Sequence, residues 1–157
     1  MTAPIVETAQ AVVDALNAAS GFSQAFTAVL KYVPVYTLPD AKSLQVCVVP
    51  AGAAYGDGEA GLRSGRRFGR VDYTVHVGIV ARVTQTDGEP DADEMDALLS
   101  LVDEIYAFFL ADPCVGSAVK STLMRIENEP LFDPEDLADR LFVSVLALHF
   151  RADRKAE

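Results

Sequence analysis

Apolar residues recur at three- and four-residue steps from Ile5 through Ala9, Val12, Val13 and Leu16, while Glu7, Gln10, Asp14 and Asn17 share the other side. This period predicts an amphipathic helix over residues 5–19. Pro4 suits its first turn, where a missing N–H costs nothing, and Ser20-Gly21 supplies the stop. The period then shortens to two. Phe26 to Val33 and Leu44 to Val49 read as short strands, the first bounded by Pro34 and Pro39 and the second by Pro50 and Gly52. From Arg70 to Thr84 the alternation is strict: Val71, Tyr73, Val75, Val77, Ile79, Ala81 and Val83 take one face. Arg70, Asp72, Thr74, His76, Gly78, Arg82 and Thr84 take the other, and Val80 alone breaks the pattern. At the standard rise such a strand is roughly 50 Å long, about twice the usual length, and is expected to project beyond its own domain.

Helical spacing returns after the turn Thr86-Asp87-Gly88-Glu89-Pro90. Met95, Leu98, Leu99, Val102, Ile105, Tyr106 and Phe109 form a broad stripe, and Asp91 with Glu94 has the spacing of a capping box. Ala118 to Glu127 reads as another strand. Asp133 and Pro134 start a short helical turn, and Leu141 to Phe150 is apolar enough for a strand covered on both faces. Runs of strands broken by two helices predict an α+β fold: a mainly antiparallel sheet, two main helices on one face, and a long projecting strand pair with its loop. Residues 1–157 read as one domain, with 51–69 as a long flexible loop holding six glycines and 151–157 as a frayed tail.

Composition narrows the function. Half of the 157 residues are apolar and 23% are charged, so the chain can bury a core. A net charge of −10 weighs against tightly held nucleic acid and against an anionic membrane surface. The N-terminus shows no secretory signal, no segment has the apolar length of a membrane helix, and a soluble protein made in the cytoplasm is expected. Cys47 and Cys114 are too few for a disulfide scaffold and lack zinc spacing.

Chemistry-bearing patterns are sparse. The stretch Gly52-Ala53-Ala54-Tyr55-Gly56-Asp57-Gly58 precedes a strand and lacks the ending of a phosphate loop, so it reads as a flexible connection. His76 and His149 have no partner at metal-ligand spacing and read as structural or interface residues. Cys47 reads as a small buried residue, and neither thiol has a histidine nearby in sequence to activate it. Asp87, Glu89, Asp91, Asp93, Glu94 and Asp96 read as a solvated acidic face that also serves a helix start. No catalytic, metal-binding or cofactor-binding residues are assigned. The one basic cluster, Arg63, Arg66, Arg67 and Arg70, has two readings: an edge protected against aggregation, or a docking surface for an acidic neighbour such as another copy of the chain.

The order and texture of these stretches resemble the tail terminator, or tail completion, proteins of long-tailed bacteriophages. The likeness rests on the N-terminal helix, the strand ending Val48-Val49-Pro50, and the arginine-bearing loop. It rests also on the strand Asp72-Tyr73-Thr74-Val75-His76-Val77-Gly78-Ile79-Val80, the acidic-capped helix, Glu129-Pro130-Leu131-Phe132, and the closing run from Leu141 to Leu148. The resemblance implies a non-enzymatic structural protein of the virion tail, assembled in the host cytoplasm. It implies a homo-oligomeric ring, typically of six copies, that caps the tail tube and stops its polymerisation. Such a ring contacts the tail tube protein and the head–tail connector protein, while DNA passes through its lumen without specific binding. Arg63, Arg66, Arg67, Arg70, Asp72, Thr74 and His76 are the expected oligomer and tube contacts. Another head–tail connector or neck subunit, or a small α+β ligand-binding domain or enzyme, stays open at this point.

Overall fold

The computed structural model describes residues 3–33, 44–57, 68–115 and 121–155, with the backbone alone for 57, 68–69 and 153–155. The fold is α+β. Helix α1 (Pro4–Ala18) is followed by strands β1 (Ala28–Leu30), β2 (Gln45–Asp57) and β3 (Phe68–Arg82). A small hairpin, β4 (Gln85–Thr86) and β5 (Glu89–Pro90), leads to helix α2 (Ala92–Ala111). Strand β6 (Thr122–Glu127), the short helix α3 (Pro134–Ala138) and strand β7 (Leu141–Lys155) complete the chain. The main sheet has the order β1-β2-β3-β7-β6, antiparallel except where β1 runs parallel to β2.

The alternation in β3 decides the layering. Its odd-numbered residues from Val71 to Ala81 are all buried, as is Val83 just beyond its end, and with Phe142, Leu146, Leu148 and Phe150 of β7 they form one face of the core. Ala9, Val12 and Leu16 of α1 and Leu98, Leu101, Ile105 and Phe109 of α2 pack on that same face. Each large apolar side chain removed from water there contributes about 1.5–3 kcal/mol before chain entropy is charged against it. On the other face Val80, Leu141 and Val143 make a small second cluster, which accounts for the single break in the β3 pattern. No helix among the described residues is long and apolar enough to cross a membrane.

Several boundaries differ from the sequence expectation. The first strand shrinks to Ala28–Leu30, because Phe22 and Phe26 turn inward and stack near Phe108, with centroids 5.3 Å apart for the first pair and 5.6 Å for Phe22 and Phe108. Strand β2 does not stop at Pro50: a bulge between Pro50 and Gly52 absorbs the proline, and pairing with β3 resumes to Asp57. The stretch expected as a loop over 51–69 is therefore strand at both ends, and residues 58–67 lie outside those described. Residues 151–155, expected to fray, are the end of β7 paired to Phe68–Asp72. Strand β3 pairs with β7 along its whole length and with β2 from Gly69 to Val80. Residues 118–120 of the strand expected over 118–127 lie outside the described residues, and its remainder is β6 (Thr122–Glu127).

Helix boundaries follow their caps. Asp91 accepts from the Glu94 N–H at 3.0 Å, and Asp133 accepts from the Glu135 N–H at 2.9 Å ahead of Pro134. The capping box is only half formed, because the Glu94 carboxylate takes the Thr84 N–H at 2.7 Å and the Thr84 hydroxyl at 2.9 Å instead. That clamp ties the chain leaving β3 to the first turn of α2. Leu101 belongs to the buried stripe of α2, whereas Tyr106 is exposed. Between β4 and β5, Asp87 and Gly88 both adopt positive φ, the tight two-residue turn that this dipeptide favours.

Candidate assembly interface

The face of β3 turned away from the helices carries Arg70, Asp72, Thr74 and His76 in sequence alternation. Arg70 is exposed and the other three are half-buried. Register with β7 sets Asp72 opposite Arg151 and Thr74 opposite His149, and register with β6 sets His149 opposite Arg125. The result is a polar strip running across three strands. Arg151 Nε donates to Asp72 Oδ1 at 3.1 Å, and an Arg70 guanidinium nitrogen lies 3.5 Å from Asp72 Oδ2. Thr74 Oγ1 and His149 Nδ1 share a hydrogen bond of 3.2 Å. His149 Nε2 is buried and makes no hydrogen bond, but faces Glu127 Oε2 at 3.4 Å. Glu127 Oε1 in turn forms an ion pair with Arg125 Nε at 2.9 Å.

Four of the expected contact residues thus stand together, and Arg63, Arg66 and Arg67 lie outside the described residues. Arg125, Glu127, His149 and Arg151 join the strip although nothing local in the sequence marks them as its members. The available signal is the parity of β7, whose alternation places Ala147, His149 and Arg151 on one face, but only strand pairing brings that face beside Asp72 and Thr74. Burial, with His149 beside it, holds the His76 imidazole below its usual protonation range.

Charge is distributed unevenly between the layers. Glu7 and Asp14 lie on α1, Asp93, Glu94, Asp96, Asp103 and Glu104 on α2, and Glu135 and Asp136 on α3. None of these helices carries a lysine or arginine. The arginines Arg70, Arg82, Arg125 and Arg151 lie on the sheet instead, where Asp72 and Glu127 accompany them. Two members of the acidic layer do structural work, Glu94 on Thr84 and Glu104 in accepting from Ser23 N and Oγ, both at 3.0 Å. Neighbouring Asp133, Asp139 and Glu135, after the larger effect of burial, push the Asp136 carboxyl above its ordinary range.

Among the described residues no group of three or more metal-ligating side chains converges. Cys47 is buried, which pushes its thiol up, and Cys114 is exposed. The strip's hydroxyl–imidazole–carboxylate row superficially has the composition of a hydrolytic triad. It lies flat on a sheet, whose backbone N–H groups are turned sideways into the ladders rather than toward a bound oxyanion.

No protein-family model matches this sequence, and no curated protein matches it at a significant level.

Proposed function

We propose that this chain is a structural subunit of the tail-terminator kind, assembling with its own copies into a ring that caps a phage tail tube, stops tube growth and offers the head-attachment surface. The observation that carries this reading is the outer edge of β2. Strand β1 covers only Val46 to Val48, and among the described residues nothing hydrogen-bonds the β2 edge from Val49 onward. A row of unpaired backbone donors and acceptors is a template for another strand, which natural monomers usually protect with charge or cover. Here the edge reads Pro50-Ala51-Gly52-Ala53-Ala54-Tyr55-Gly56, uncharged throughout, and Tyr55 is 76% exposed.

Two further features support the reading. The wholly acidic helix layer is a surface that repels a passing phosphate backbone, as a ring threaded by DNA requires. The polar strip, rich in arginine, is a complementary surface for a protein neighbour.

Incubation of the purified chain with tail tube subunits tests the proposal, read by light scattering and negative-stain microscopy. The expected result is rings of uniform size and short tubes, each closed by one ring. Tubes of unaltered length with no ring at either end would overturn it, and rings seated only on connector complexes would move the assignment to a neck subunit.

A further inference from the structure

Among the described residues neither β2 beyond Val48 nor the outer side of β6 is paired to another strand, and these two stretches stand at the same height. Across the sheet Gly52 pairs with Thr74, Thr74 with His149, and His149 with Arg125. At the next levels Val49, His76, Ala147 and Glu127 are in line, as are Ala54, Asp72, Arg151 and Thr122. Strand β6 therefore spans the part of the sheet occupied on β2 by Val49 to Ala54. That part begins where β1 ends, since the last β1 pairing joins Leu30 to Val48. The two edges also hold five of the eight large apolar side chains left exposed among the described residues: Val29, Tyr32, Val33, Tyr55 and Met124.

Resting on the ring reading above, we infer that the partner of the open β2 edge is β6 of the next copy, which lies end to end with β1 along β2 and joins the two sheets into one. Strand direction supports this. Because β2-β3-β7-β6 alternate throughout, β2 and β6 point in opposite senses. A rotation about an axis parallel to the strands preserves each strand's sense, so β6 and the neighbour's β2 meet antiparallel, the more stable arrangement. The shared height means that this rotation needs little rise between copies, which closes a ring rather than winding a filament.

Side chains at the junction are compatible. The β2 edge offers small neutral residues, so Arg125 and Glu127 meet no like charge there. Two positions give less than a full ladder: Pro50 has no N–H, and the Leu123 N–H is already taken by the Pro113 carbonyl at 2.8 Å. The contact thereby centres on the level of Gly52 and Arg125, with Val49 beside Glu127 and Ala54 beside Thr122 on either side of it. The alternative, pairing of β2 with another β2, would leave every β6 edge unused.

Disulfide trapping tests the junction. In a Cys114→Ser background, Gly52→Cys and Arg125→Cys place thiols at one height and on one face, and Ala54→Cys samples a two-residue shift. A Cβ at Gly52 meets nothing within 4 Å, so that substitution fits the fold. Mixing either β2-edge variant with Arg125→Cys is expected to give cross-linked heterodimers. The double variants are expected to give a ladder ending in one closed species, while each single variant alone stays uncross-linked. Ala53→Lys with Ala54→Lys is expected to leave circular dichroism unchanged and reduce the scattering mass to that of one chain. Homodimers from a single variant would overturn the inference in favour of a twofold contact. Wild-type rings with no heterodimer cross-link would overturn it while leaving the ring reading intact, and a chain that is monomeric both alone and with tubes would remove both.

Discussion

Arg151 Nε donates to Asp72 Oδ1 across 3.1 Å, which fastens the charged end of β7 to the middle strand of the sheet. The same carboxylate faces Arg70 on its other oxygen. Both side chains of the pair keep more than a third of their surface in water, so the pair itself contributes under about 1 kcal/mol. Arg151→Ala is expected to shift the thermal midpoint by no more than a few degrees. Asp72→Lys, which sets three cations side by side, is expected to lower it further, with most of that extra loss recovered at high salt. Thermal melts at low and high ionic strength read both effects.

His76 makes stability depend on pH in a stated direction. Its imidazole is held low in the folded chain by burial and then by His149, whereas in the unfolded chain it titrates near about 6.5. As pH falls through that value the unfolded chain binds protons that the folded chain refuses, so stability is full above it and declines below it. Urea midpoints measured from pH 7.5 down to 5.5 are expected to fall, and His76→Gln is expected to flatten the slope. An equal slope in both proteins would remove His76 as the cause.

Asn17 joins helix to sheet. Its side-chain amide donates to the Ala28 carbonyl at 3.0 Å and its carbonyl oxygen accepts from the Ala28 N–H at 2.8 Å, much as a neighbouring strand would. Ala28 is 3% exposed, so water cannot fully replace these bonds. Asn17→Ala is expected to cost about 1–3 kcal/mol by chemical denaturation. Asn17→Asp loses the donor, leaves a carboxylate against a carbonyl, and is expected to cost at least as much.

Tyr73 lies in the core with its hydroxyl buried and without a hydrogen-bond partner. An unsatisfied buried polar group costs free energy that its removal returns. Tyr73→Phe is therefore expected to raise stability by about 1 kcal/mol, seen as a higher urea midpoint with the slope unchanged. A loss of stability instead would show that the hydroxyl is paired.

Local pattern carried much of the architecture. The period of two from Val71 to Val83 identified the buried face of β3 residue by residue, the three-to-four period identified both long helices, and the caps of α2 at Asp91 and of the short α3 at Asp133 were legible too. Such patterns are legible because they arise from one strand or helix meeting one apolar layer. What failed were the places where a neighbour's contribution overrides local preference. Pro50 and the glycines after it look like a loop, yet the ladder to β3 carries them on as strand, and the charged stretch after Phe150 is held in the same way by Phe68 to Asp72.

By itself, then, the amino-acid order determined which residues turn inward, the fold class and the predominance of negative charge. It marked Arg70, Asp72, Thr74 and His76 as one polar row. Only the tertiary structure decided that Glu127, His149, Arg125 and Arg151 complete that row, that the helix layer carries acid alone, and that β6 stands level with the part of β2 that β1 does not cover. The reason is physical: side-chain period is a property of one segment, whereas register and sheet order depend on hydrogen bonds between segments far apart in the chain.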